Sequence, residues 1–93
     1  MAPYCDPASE RFVLPLESVR ATVNYWKRAD GVVEFRHVYV PPDHRGTDAS
    51  RRVLGFAFSY AREQGWRVRP ICPYIAGRYV PRHPEIHDLI SER

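Results

Sequence analysis

Hydrophobic and polar residues alternate through the first half of the chain. Three runs rich in Val, Tyr, Trp and Phe follow this two-residue period and predict β-strands over 11–16, 20–28 and 32–40. Asp30-Gly31 between the second and third runs predicts a hairpin turn, because glycine tolerates the positive φ that a tight turn needs. The front half is therefore predicted to be antiparallel sheet.

Strict alternation sorts the third predicted strand into two faces. One face carries Val33, Phe35, His37 and Tyr39. The opposite face carries Val32, Glu34, Arg36, Val38 and Val40.

Pro41 and Pro42 end the third strand, because neither proline has an N–H to donate to the hydrogen-bond ladder of a sheet. After them the spacing of apolar residues changes to that of a helix. A single apolar stripe then predicts a helix from Thr47 or Asp48 to Gln64. The stripe consists of Val53, Leu54, Ala57, Phe58 and Ala61. Either Thr47 or Asp48 can cap the first turn, and Gly65 supplies the left-handed stop.

A fourth strand is predicted over 66–72, ended by Pro73, with short helical pieces near 75–80 and 84–91. Strand, helix and strand in this order predict a β-α-β crossover. The predicted fold class is α/β (α+β), a mostly antiparallel twisted sheet with one crossover and short C-terminal helices. We expect one domain over 11–93, preceded by a flexible leader over 1–10.

The composition of the chain restricts the classes of ligand that it is expected to bind. The chain has 14 Lys+Arg against 11 Asp+Glu, a formal charge of +3, and Lys27 is the only lysine. Arginine favours bidentate contacts with phosphate or carboxylate, so the charge fits an anionic small molecule. Cys5 and Cys72 have neither metal-site nor disulfide-framework spacing, and no apolar run is long enough to cross a membrane. We expect a cytoplasmic protein, a monomer or weak dimer, with free thiols.

The connection after Val40 is the best candidate for chemistry. A strand ends, an Arg45-Gly46 loop turns sharply and a helix begins at once. This arrangement directs free backbone N–H groups and the positive end of a helix dipole at one spot, which suits a phosphate. Gly46 allows close approach, and Arg45, Arg51 and Arg52 add positive charge. The same pattern also fits a plain capped helix behind a tight turn.

This stretch, VYVPPDHRGTDASRRVL over 38–54, resembles the coenzyme A-binding motif of the GCN5-related N-acetyltransferases, in which R/Q-x-x-G-x-G/A leads into a long helix. The resemblance covers roughly 10–91 and extends to a subgroup of small single-domain members. The first part of the subgroup pattern, H-T-x-V-P-x-x-x-R-G-x-G-x-A, is matched by His37, Val40, Pro41, Arg45 and Gly46. The later parts are matched by Pro70, Cys72, Pro73 and Tyr74, and by His83, Pro84, Glu85, Asp88 and Leu89. The chain departs from the pattern at Val38, Asp48 and Ser50.

The resemblance implies acetyl-CoA as the cofactor and a set of residues that bind it. That set is Val38, Tyr39, Val40, Arg45, Gly46, Thr47, Asp48, Ala49, Ser50, Arg51, Cys72 and Pro73. Asp48 replaces a glycine of the subgroup, and two outcomes stay open. Its carboxylate either caps the helix and turns away from the phosphates, or weakens coenzyme A binding.

Three residues are candidates for catalysis, each with a structural alternative. By the resemblance, Cys72 lies near the acetyl group, as a transient acetyl acceptor or as part of the acetyl pocket wall; a buried inert thiol is the plain alternative. His37 is a candidate general base for an amine, or a hydrogen-bonded structural histidine. Tyr79, like Tyr74, is a candidate proton donor to the leaving thiolate, or a core residue.

Three functions remain open from the sequence. The first is an acetyl-CoA-dependent N-acetyltransferase acting on an unidentified amine. The second is a non-catalytic coenzyme A or acyl-CoA binder, or a protein-interaction domain, on a degenerate transferase fold. The third is a small nucleic-acid binder, suggested by arginines interleaved with Tyr25, Trp26, Trp66 and Tyr79. We place it last, because these aromatic residues fit better as core.

Overall fold

The computed structural model describes residues 2–92, in which five strands form one sheet and one long helix follows the fourth strand. The strands are β1 Tyr4–Asp6, β2 Arg11–Pro15, β3 Arg20–Lys27, β4 Val32–Tyr39 and β5 Arg67–Pro70, and the helix is α1 Ala49–Gln64. Their order in the sheet is β1-β2-β3-β4-β5, and all pairs are antiparallel except the parallel pair β4 and β5. The predicted α+β fold with one β-α-β crossover is confirmed.

Short helical turns complete the chain, as predicted. They cover Ile75–Tyr79, Val80–Arg82 and Pro84–Leu89. Ile90 then forms a parallel bridge with Val68, which ties the end of the chain to the free edge of β5. No helix within residues 2–92 combines the length and the apolar character that a membrane crossing needs.

The N-terminal segment differs from the prediction, because Tyr4–Asp6 forms a strand within the expected leader. This strand, β1, pairs with β2 in register Tyr4 with Val13, and Cys5 packs against the core. An edge strand of three residues is stabilised by its partner more than by its own pattern, so its sequence carries little signal. The extent of the single domain stays a prediction.

The core lies between α1 and one face of the sheet. The predicted stripe of the helix is buried in full, together with Ala49. Phe12 on β2 is at its centre, with its ring 5.0–6.4 Å from the rings of Tyr25, Phe35, Phe56, Tyr60 and Trp66. Gly65 ends the helix in the left-handed conformation at φ 73°, as predicted.

A β-bulge interrupts the pairing of β3 with β4. Asn24 pairs with His37 and Tyr25 pairs with Phe35, so Arg36 is an extra residue without a partner in β3. A bulge of this kind bends its strand and increases the local twist. It also resets the alternation of side chains between the two faces.

The predicted faces of the third strand are therefore wrong beyond Phe35. Val38 and Val40 pack against the core, whereas His37 and Tyr39 are exposed. The reset is visible in the sequence in hindsight, because apolar residues at 33 and 35 continue at 38 and 40, with two polar residues together at 36 and 37.

Candidate functional site

The two parallel strands β4 and β5 separate at Phe35. Their register ends with Phe35 opposite Pro70, and the carbonyl oxygen of Phe35 then accepts from both Ile71 N (2.9 Å) and Cys72 N (3.4 Å). Two successive donors on one acceptor mean that the chain turns away from the ladder. The predicted strand over 66–72 accordingly ends earlier, at Pro70.

A cleft opens where the strands part. It has a volume of about 740 Å³. The residues predicted to bind the cofactor that line it are Val38, Tyr39, Val40, Arg45, Gly46, Thr47, Ser50, Cys72 and Pro73. His37, a predicted catalytic residue, also lines it.

Some residues of the predicted set do not reach the cleft, and others were missed. Ala49 is buried under the helix, and the exposed side chains of Asp48 and Arg51 are not part of the lining. His44, Tyr74 and Arg78 line the cleft without having been predicted as cofactor-binding residues. Helical spacing after Pro73 could have indicated Arg78, since it follows Tyr74 by one turn.

The loop between β4 and α1 forms one wall of the cleft. A short helical turn over Pro42–His44 leads to Arg45, whose Nε donates to the carbonyl oxygen of Val40 at 3.1 Å. Gly46 adopts φ +83°, a conformation that L-residues rarely tolerate. The loop is thus folded back on the end of β4, as the Arg-Gly spacing predicted.

Thr47 and Asp48 divide the capping of α1 between them. Asp48 is the N-cap by position, and its carbonyl oxygen accepts from Arg52 N, but its carboxylate makes no capping hydrogen bond. The hydroxyl of Thr47 accepts from Ala49 N at 3.3 Å instead. The suggestion that the Asp48 side chain caps the helix is therefore wrong, although this exposed carboxylate does lie outside the cleft lining.

Backbone N–H groups at this end of the helix lack partners. Within residues 2–92, those of Gly46, Asp48, Ser50 and Arg51 donate to no protein acceptor. The first turn of a helix leaves such donors free and adds the positive end of its dipole. Arg45 and Arg78 in the lining contribute positive charge nearby. The arrangement suits a ligand with several anionic oxygens.

A hydrogen bond ties the two walls of the cleft together. The hydroxyls of Ser50, in the first turn of α1, and Tyr74, two residues after Cys72, lie 3.1 Å apart. The pair fixes the distance between the helix end and the segment that follows β5.

A comparison with known families agrees with this geometry. A family model described as a GCN5-related N-acetyl-transferase matches residues 11–89. The chain belongs to the GCN5-related N-acetyltransferases. The match includes all of the cleft residues and excludes β1.

Among the catalytic candidates of this acetyltransferase-family chain, Cys72 and His37 lie together at the cleft. Cys72 is 8% exposed, and its sulfur makes no hydrogen bond with any side chain in the described part of the chain. His37 is exposed at the rim, because the bulge turns it outward. The structure describes no group of His, Cys, Asp and Glu that could hold a metal ion within residues 2–92.

Tyr79 lies away from the cleft. Its ring stacks between Phe58, at 5.6 Å, and His83, at 3.8 Å. Burial, and secondarily the charge of Glu85, raises the pKa of the Tyr79 phenol. This placement fits the core alternative for Tyr79, whereas Tyr74 lines the cleft, as Tyr39 does.

Deletion of Arg36 tests whether the bulge opens the cleft. Without this extra residue Phe35, His37 and Val38 can continue a regular ladder with β3 and keep their faces, so we expect the fold to persist. The straightened β4 should close on β5 and abolish stabilisation by acetyl-CoA. Circular dichroism and thermal shift measure the two effects. A deletion variant that folds and still binds acetyl-CoA normally would contradict this role of the bulge.

Proposed function

We propose that the chain is an acetyl-CoA-dependent N-acetyltransferase that binds its cofactor in the cleft between β4 and β5. The observation that carries the proposal is the set of unpaired N–H groups at Gly46, Asp48, Ser50 and Arg51 around the first turn of α1, of which Gly46 and Ser50 line the cleft. A diphosphate presents several acceptors to such donors. The family of the chain supports the same ligand.

The cleft residues fit the parts of acetyl-CoA by their chemistry. The amides around Gly46, with Arg45 and Arg78, suit the diphosphate. Val38, Val40 and Pro73 suit an uncharged arm. Beyond Phe35 the edge of β4 that faces β5 has no strand partner among the described residues, so its backbone can bind amide groups of the ligand. Bound acetyl-CoA supplies an acetyl group activated as a thioester.

The protein contributes mainly positioning and proton transfer. We assign His37 as the general base that takes the proton from an attacking amine, since it lines the cleft and histidine is the side chain that most often fills this role. We assign Tyr74, which lines the cleft two residues after Cys72, as the proton donor to the leaving thiolate. Backbone N–H groups near Val40 are available to polarise the thioester carbonyl.

Cys72 forms part of the wall in this proposal. A thiol that acts as a nucleophile is usually activated by a base within hydrogen-bond reach. The side chains in the described part of the chain place no such base on the Cys72 sulfur, whereas Cys5 has Tyr25 at 3.6 Å. We therefore favour direct attack by the amine over an acetyl-cysteine intermediate.

The amine acceptor is left as a class, a primary amine able to reach an open cleft. Both cysteines are free thiols, which fits a reducing compartment, so the proposal places the reaction in the cytoplasm. The competing function, a coenzyme A binder without catalysis, shares the ligand site and differs only in acetyl transfer.

Thermal shift with acetyl-CoA tests the ligand site. At a hundredfold excess over Kd, a ligand of the native state adds about 2.7 kcal/mol, which raises the Tm of a domain this size by several degrees or more. We expect Gly46→Ala to remove this shift, since a methyl group would stand among the amide donors. No shift at millimolar acetyl-CoA would eliminate both the transferase and the binder.

Gly31→Ala is the matched control for that substitution. Gly31 also has a positive φ, +88°, and a Cβ there would likewise meet nothing within 4 Å. Both variants should therefore lose similar stability, about 1–2 kcal/mol from the left-handed conformation. Only the change at Gly46 should alter the response to acetyl-CoA.

Three single variants test the catalytic assignment, with coenzyme A release measured over a panel of primary amines. His37→Ala should lower kcat by about 10²-fold or more, the usual contribution of a general base. Cys72→Ala should stay within about threefold of the parent, and Tyr79→Phe should match it. Intact mass after incubation with acetyl-CoA should show no acetyl group on Cys72. An acetyl adduct that is lost in Cys72→Ala but kept in Cys5→Ala would contradict direct attack and indicate an acetyl-cysteine intermediate.

Asp48→Asn tests the electrostatics of the ligand site. The exposed carboxylate of Asp48 adjoins the unpaired amides, so removing its charge should tighten acetyl-CoA binding by about two- to fivefold at low salt. The gain should shrink at roughly 0.5 M salt because of screening. Calorimetric titration measures both. Glu63→Gln, an equal charge change in the last turn of α1, should alter nothing; equal effects from both variants would show a general charge effect only.

A further inference from the structure

A second surface of the molecule lies mostly outside the proposed reaction site. Residues of β1 to β5 that alternate with the core residues lie on the opposite face of the sheet from α1, and we call this the outer face. One ladder row crosses it through Tyr4, Val13, Thr22 and Tyr39. The outer tyrosines of this row are 47% and 43% exposed. Three strand spacings separate them, or about 14 Å.

Trp26 adds a third aromatic ring to the outer face. It is 42% exposed, and it lies four residues along β3 from Thr22, or about 13 Å. The guanidinium of Arg36, the bulge residue, lies 4.8 Å from its ring centroid. The expectation that Trp26 belongs to the core is wrong, whereas Tyr25, Trp66 and Tyr79 do pack in or against the core.

Arginines surround these rings. Along the strands the outer face carries Arg11, Arg20, Arg36, Arg67 and Arg69 against Asp6 and Glu34, and Glu17 and Asp43 line the grooves beside Tyr4 and Tyr39. Arg20 and Arg69 form no ion pair with any residue that the structure describes. Arg20 also separates two grooves of about 410 and 370 Å³, one lined by Tyr4 and the other by Tyr39.

We propose that the outer face binds single-stranded nucleic acid, with bases stacked on Tyr4, Trp26 and Tyr39 and phosphates paired with the arginines. Exposed aromatic residues on a flat sheet among cations are the common requirement for such binding, because every base offers a π-face and every linkage a charge. A duplex hides its bases within its own stack and offers only phosphates.

Two other occupants fit these residues less well. A second copy of the chain would bring the same arginine-rich face against itself in a two-fold contact, so like charges would meet. An acidic peptide would satisfy the arginines but leaves three large rings without partners. Single-stranded nucleic acid offers phosphates to the arginines and bases to the three rings.

The outer face and the cleft can be separated experimentally. Tyr39 lines both, but Tyr4, Arg20 and Trp26 are absent from the cleft lining. Saturating acetyl-CoA should therefore leave most of the nucleic-acid affinity in place, with at most the loss of the stack on Tyr39. The inference does not depend on the transferase activity.

Fluorescence anisotropy with labelled twelve-nucleotide oligouridylate and oligothymidylate tests the proposal. Trp26→Ala and Tyr4→Ala should each weaken binding by about fivefold or more, the usual effect of one lost stack. Arg20→Ala should weaken binding and flatten the salt dependence, because each neutralised phosphate contributes about −0.7 to the slope of log K against log salt. Arg82→Ala removes the same charge from the C-terminal segment and should change little.

A direct probe of stacking uses Trp66→Phe, which leaves Trp26 as the only tryptophan. Saturating oligonucleotide should quench its fluorescence. The proposal is overturned if binding ignores salt, if Trp26→Ala has no more effect than Arg82→Ala, or if a duplex binds as tightly. Displacement by acetyl-CoA would also overturn it, by assigning the phosphates to the cleft. So would a dimer in sedimentation that Trp26→Ala dissociates, since a second copy would then cover the face.

Discussion

The separation of β4 from β5 at Phe35 is the constraint on which the functional part of this structure depends. One carbonyl oxygen accepts from two successive amides, and the parallel ladder stops there. On the other side of β4, Arg36 is inserted as a bulge at the same level. A continuous ladder would have filled the space that now forms the cleft, so a local defect in pairing creates the site.

The start of α1 adds hydrogen-bond donors to the cleft between the strands. The helix α1 starts three residues after Gly46, and two of the residues with unpaired amides, Gly46 and Ser50, line the cleft. The stripe of Val53, Leu54, Ala57, Phe58 and Ala61 fixes the helix on the sheet, and the hydroxyl pair of Ser50 and Tyr74 holds its first turn to the opposite wall. Contacts of this kind preorganise the donors, and preorganisation lowers the entropic cost of binding a ligand.

Local sequence signals predicted much of this structure. The apolar stripe of α1, its glycine stop and the hairpin at Asp30-Gly31 each depend on residues close in the chain, and each is confirmed. The Arg-Gly loop and most of the cleft lining also followed from the pattern around it and from the family that it resembles.

The features that the sequence did not predict depend on contacts between residues far apart in the chain. The bulge at Arg36 depends on the register with β3, and no glycine marks it. The strand β1 depends on β2, and the early end of β5 depends on Phe35. No local sequence signal indicates where Tyr79 and Trp26 lie. Tyr79 is a core residue instead of a cleft residue, and Trp26 is exposed instead of buried. Most of the cleft lining was therefore predictable, but which of Tyr74 and Tyr79 lies at the cleft was not.

Amide NMR during titration with coenzyme A measures the central claim most directly. The account predicts that the resonances of Gly46, Asp48, Ser50 and Arg51 shift first and furthest, as their protons acquire phosphate acceptors, while those of Gly31 and Gly65 stay in place. Saturation of the protein with the four amides unmoved, or shifts centred elsewhere on the sheet, would contradict it.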